Sequence, residues 1–234
     1  MTEVKMHEEM NQLRRPGWPE IVVCFVIYVV VVLVMVQIIS AFIPEDTVFF
    51  GLSLSALSAF AAVCAFLGAY FLRIRTNASF GLIRVSGRWL LIGVGVGVGV
   101  FALAKISSIL YLMLGFQFTN IQESYSTAAT GGVLSFIIQI ILIAVATPIG
   151  EELAFRGVLT SALLRYQPWI CIFVSALVFT VAHGLNEITP IAFITGVATA
   201  YLFYRTKSIW PGVVVHMVNN ALGTILSVLI ASML

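Results

Sequence analysis

The stretch IVVCFVIYVVVVLVMVQIISAF, residues 21–42, decides the fold class. A helix crosses the hydrocarbon core of a bilayer with about 20 consecutive apolar residues, and this run is long enough to do so. It is longer than the core of a secretory signal peptide, and no obvious small-residue cleavage site follows it, so it is expected to persist as a membrane helix. Further apolar runs cover Val48 to Leu72, Trp89 to Leu114, Val133 to Ile149, Trp169 to Ala182, Ile188 to Tyr204 and Trp210 to Leu234. The fourth meets a break at Pro148 and Gly150 and continues as a helix-like stretch from Glu151 to Arg165. The expectation is an all-α polytopic transmembrane bundle of about seven or eight helices, with residues 1–20 as a cytoplasmic N-terminal segment and 21–234 as one membrane domain.

Composition leads to the same class. The 234 residues are 61% hydrophobic and 9% charged, against roughly 45–50% and about 25% in soluble domains. The net charge of +2 is spread over short basic clusters between apolar runs, which fits membrane topology rather than nucleic-acid binding. Lys5, Arg14 and Arg15 precede the first run, and Arg73, Arg75, Arg84 and Arg88 fill the loop after the second, while Glu45 and Asp46 occupy the first loop. The positive-inside rule then puts the N-terminus in the cytoplasm, the region near Glu123 outside, and the turns at Arg165 and at Arg205 and Lys207 inside. A multi-pass protein of the cell membrane is expected, its C-terminus outside after seven crossings. Membrane lipids are the expected surroundings, and the arginine-rich loop is adequately explained by topology.

Cys24, Cys64 and Cys171 sit within apolar runs without metal-ligand spacing and read as packing. Gly93, Gly95, Gly97 and Gly99 make two overlapping GxxxG pairs inside a helix-length run, the pattern of close helix contact. Lys105, near the outer end of that run, is expected to reach the interface.

The chemistry is concentrated in the second half. Glu151, Glu152 and Arg156 fall in a strongly apolar setting, where charged groups usually face the bundle interior and mark a functional path. Glu152 and Arg156 are i,i+4 neighbours and can pair, while Glu151 points about 100° away and is left free for work. Phe179 and His183 share a face in the next run, and His216 and Asn220 share one in the last. Counting along a hairpin tipped at Gln167, Glu151 and His183 each lie about 16 residues away, or roughly 24 Å, and so are level. His216 is shallower by the same count. Such a set suits peptide hydrolysis: a carboxylate and an imidazole activate water, and an imidazole N–H with an asparagine amide stabilises the oxyanion. Glu151 and His183 take the first role, His216 and Asn220 the second.

The ordered motifs Glu151-Glu152-x-x-x-Arg156, Phe179-x-x-x-His183 and His216-x-x-x-Asn220 resemble those of the CPBP family, the CAAX-processing and Abi (bacteriocin-processing) intramembrane proteases. The core of the resemblance lies at about 132–234, and nothing recognisable covers the first 130 residues. The resemblance implies a conical cavity accessible from cytoplasm and membrane, a glutamate-activated water as nucleophile, supporting roles for Glu152 and Arg156, and a peptide or lipidated-peptide substrate. Members have often been called metalloproteases. No cofactor is expected here, and if zinc were held its ligands would be Glu151, His183 and His216. Two other classes fit a buried polar cluster: a non-catalytic scaffold or bacteriocin-immunity protein, and a proton-coupled transporter with Glu151, Glu152, His183 and Lys105 as relay.

Overall fold

The computed structural model describes residues 14–115, 122–184 and 186–233. Lys5, most of the 1–20 segment and Leu234 lie outside the described residues. Within them the chain is helical without a strand: α1 Trp18–Phe42, α2 Val48–Leu72, α3 Gly87–Met113, α4 Glu123–Thr130, α5 Val133–Leu163, α6 Pro168–Ala182, α7 Thr189–Thr206 and α8 Trp210–Ala231. Helix starts follow local rules. Thr47 caps α2 by accepting from the Phe50 N–H at 3.2 Å, and Pro19, Pro168, Pro190 and Pro211 stand in first turns, where a missing donor is harmless. Helix α1 leaves Val22, Val26, Val29 and Leu33 exposed, a face suited to lipid.

Five helices, α1, α2, α3, α5 and α8, are long and apolar enough to cross a membrane. The remaining two apolar runs form shorter helices. Helix α6 has 15 residues, because the chain turns at His183 and Gly184, whose φ of +81° is left-handed. The region near Glu123, expected as a loop, instead forms α4, which buries Ala128 and Ala129 and lies against Gly51 of α2.

The break expected at Pro148 and Gly150 does not occur. Helix α5 runs unbroken from Val133 to Leu163, with π-helical segments at Ile140–Ala146 and Glu152–Thr160 on either side of the proline. A proline in a helix removes one donor and crowds the carbonyl four residues back; a widened turn relieves both. Gly150 lets the same helix sit close on α2, where an added Cβ would stand 2.9 Å from the Ala59 carbonyl.

One end of the bundle is closed. The loop containing the short helical turn Asn77–Phe80 folds back under α5 and the start of α8, with Phe80, Ser208 and Ile209 fully buried. Ser161 Oγ donates to the Ser79 carbonyl at 2.7 Å, the Ile209 N–H to Gly81 at 3.1 Å, and Ser208 Oγ to Ile83 at 2.7 Å. Gly81, at φ +71°, packs against the Phe203 ring with no room for a side chain. Glu20 accepts two bonds from Arg73 at 2.7 Å, tying α1 to the end of α2, and Arg165 donates to the Pro16 carbonyl.

Of the two GxxxG pairs, one packs. Helix α3 runs beside α8, and an added Cβ at Gly93 or Gly97 would stand 2.9 Å from the Pro211 carbonyl or 2.8 Å from that of Val215, whereas Gly95 and Gly99 meet nothing within 4 Å. Lys105 is exposed, its Nζ 5.2 Å above the Phe101 ring. Gly97→Leu is therefore expected to destabilise the protein by about 1–3 kcal/mol through overpacking, while Gly99→Leu leaves thermal unfolding in detergent unchanged.

Candidate active site

Glu151 and Glu152 are consecutive on α5 and both buried, yet they serve different surroundings. Glu151 faces a cavity of about 800 Å³. Its Oε1 accepts from Ser58 Oγ of α2 at 3.2 Å, and its Oε2 lies 3.7 Å from His183 Nε2 and 3.8 Å from His216 Nε2. Glu152 turns into the protein, its Oε2 3.3 Å from Arg156 Nε and its Oε1 3.8 Å from His216 Nδ1. His216 thus stands between the two carboxylates. Its apparent shallowness on the linear count disappears because α8 begins within the closed end, at buried Ile209 and Pro211.

Arg156 is wholly buried. Its Nη2 donates to Thr199 Oγ1 and, at 3.4 Å, to the Gly196 carbonyl. The guanidinium carbon lies 4.5 Å from the centre of the Phe179 ring, so one aromatic face and one carboxylate hold the cation. Phe179 is also edge-on to Phe155 at 5.0 Å, 4.4 Å from the His183 ring and 5.8 Å from the His216 ring. Gly212 gives Glu152 its space: a Cβ there would come within 2.5 Å of Oε2.

The His183 tautomer follows from its partner. Nδ1 lies 2.8 Å from the Phe179 carbonyl, which can only accept, so Nδ1 carries the proton and, in the neutral ring, Nε2 presents a lone pair towards Glu151. The two atoms are 3.7 Å apart, beyond direct hydrogen-bond distance. Asn220 donates from Nδ2 to the Ile143 carbonyl at 2.9 Å and accepts from Asn219 at 3.2 Å, leaving a second amide N–H. Asn219 and Asn220 both line the cavity, although helical spacing singles out Asn220.

All six residues picked from the sequence, Glu151, Glu152, Arg156, His183, His216 and Asn220, thus lie around one cavity floor or directly behind it. The reading missed Ser58, Thr199 and Gly212. A signal for the first two was present, since Ser55 and Ser58 are three apart and Thr195 and Thr199 four apart, each pair sharing a helix face in an apolar run. As for zinc, no group of three or more His, Cys, Asp or Glu among the described residues is disposed to hold a metal ion. The Nε2 atoms of both histidines are directed at one oxygen of Glu151, and the other nitrogen of His216 is turned to Glu152.

Residues 132–222 match the family model of type II CAAX prenyl endopeptidase Rce1-like proteins. That segment contains all six residues above, and the match agrees with the family that their ordered motifs resemble. Neither the curated proteins nor the solved structures yield a match to this chain.

Removing one member of a buried ion pair strands the other. Arg156→Ala is expected to lower stability by about 3–5 kcal/mol in thermal or denaturant unfolding, whereas Thr199→Val, which deletes one hydrogen bond, costs about 1 kcal/mol.

Proposed function

We propose that the protein is an intramembrane endopeptidase that hydrolyses a peptide bond of a membrane-associated, prenylated or small bacteriocin- or signal-like peptide. The observation that carries this reading is the approach of Glu151 Oε2 to the Nε2 atoms of His183 and His216 at the floor of an open cavity. At 3.7 and 3.8 Å these atoms are too far apart for direct hydrogen bonds, and a water on the cavity side can bond the carboxylate and an imidazole together.

In the proposed reaction that water loses a proton to Glu151 as its oxygen bonds to the substrate carbonyl carbon. His183, held by the Phe179 carbonyl, orients the water. The His216 imidazole and the second amide N–H of Asn220 donate to the negative charge that develops on the carbonyl oxygen. When the C–N bond breaks, Glu151 returns its proton to the leaving amine. Ser58 fixes the rotamer of Glu151, and Glu152 and Arg156 support the floor from behind without touching the reacting atoms.

The cavity beside Glu151 speaks against the scaffold reading, for a cluster that merely joins helices gains nothing from a chamber at its face. The packing of Phe80 and Ile209 at the closed end speaks against a transport path through the same groups.

The test is cleavage of a membrane-inserted or prenylated peptide library by the purified protein. Glu151→Gln is expected to fold and to lose about 10²–10⁴-fold in kcat, since an amide cannot take the proton. Asn220→Ala is expected to lower kcat by about 10²-fold with KM nearly unchanged. Chelator is expected to leave the rate unaltered. Full activity in Glu151→Gln would overturn the assignment, and activity lost to chelator and restored by zinc would replace it with a metal mechanism.

A further inference from the structure

The cavity and the basic residues lie at opposite ends of the molecule. Arg156 aside, every arginine among the described residues lies at the closed end: Arg14 and Arg15 before α1, Arg73, Arg75 and Arg84 between α2 and α3, Arg88 in the first turn of α3, Arg165 after α5 and Arg205 at the end of α7, followed by Lys207. The hydrogen bonds from Arg165 to Pro16, from Ser161 to Ser79 and from Ser208 to Ile83 bring these segments together at one face. The cavity instead extends from Glu151 towards α4, the outer part of α8 and the turn after His183, and none of the loops at the closed end lines it. Lys105 is the single described lysine on that side.

Lysine and arginine in short loops set the orientation of a multi-pass protein by remaining in the cytoplasm. Here every short loop at the closed end carries at least one, and the turn between α1 and α2 carries Glu45 and Asp46. We infer that the cavity opens on the extracytoplasmic side, and that the peptide it takes is an exported segment of a membrane-anchored chain, not a cytoplasmic lipidated tail. The substrate clause rests on the endopeptidase reading above; the orientation does not. The result is the reverse of the cytoplasmic access that the family resemblance implies. It follows from the folded-back loop, whose buried Phe80 and bonded Ser79, Gly81 and Ile83 carbonyls leave the cytoplasmic end without an approach to Glu151.

The test uses the full chain expressed in a bacterium, with Cys24, Cys64 and Cys171 replaced by alanine. Thr130→Cys at the open end and Thr76→Cys in the arginine-rich loop are probed with a membrane-impermeant maleimide; both positions are exposed. Thr130→Cys is expected to label in intact cells, and Thr76→Cys only after permeabilisation. The reverse pattern, or labelling of both in intact cells, overturns the orientation whether or not the protein cuts anything. A quenched fluorogenic peptide library is then added to right-side-out and inverted vesicles and to detergent-solubilised protein. Cleavage by right-side-out vesicles and not by inverted ones is expected; the opposite preference overturns the substrate side. Absence of cleavage in all three, with the labelling as expected, counts against the endopeptidase reading while the orientation stands.

Discussion

A guanidinium shielded from bulk solvent lies at the centre of this bundle, and its neighbours are arranged to make that tolerable. Arg156 has the Glu152 carboxylate on one side, the Phe179 ring on another, and the Thr199 hydroxyl and Gly196 carbonyl beyond. An isolated charge so placed would cost many kcal/mol, and a paired one still loses its hydration. The charges bring together α5, α6 and α7, and His216 extends the cluster to α8. Apolar surface contributes little to choosing helix partners in lipid, so these contacts and the close glycine approaches carry much of the specificity of assembly.

Phe179 shows how stability and site geometry are joined. Its ring covers Arg156, its carbonyl fixes the proton on His183, and its edge lies near His216. Likewise Gly212 matters because a carboxylate occupies the volume a side chain would need. Neither residue carries reactive chemistry. Both set the separations between the carboxylates and the imidazoles.

Much of this was legible in the sequence, and the gaps have physical causes. Apolar runs of membrane length specify helices strongly, and a charge in such a run demands a partner, which is why Glu152 and Arg156 were read as a pair and Glu151 as the residue left over. Helix continuity at Pro148 was not legible, because a π turn depends on what the surrounding helices tolerate rather than on local propensity. The short α4 was hidden by its polar composition, ESYSTAAT. Depth along a hairpin placed Glu151 and His183 level, but the same count failed for His216, since distance from a basic residue is a poor ruler when the intervening chain is buried. Ser58 lay in the region without recognisable motifs, and only the fold brings it to Glu151.

The closed end has a consequence for turnover. A chamber closed at that end takes in chain and releases fragments through its remaining sides. For an endopeptidase this makes clearance part of the catalytic cycle, because a fragment that remains against the floor excludes the next substrate. If one fragment stays anchored in lipid while the other is soluble, the two leave at different rates, and the slower sets the pace once bond breaking is fast.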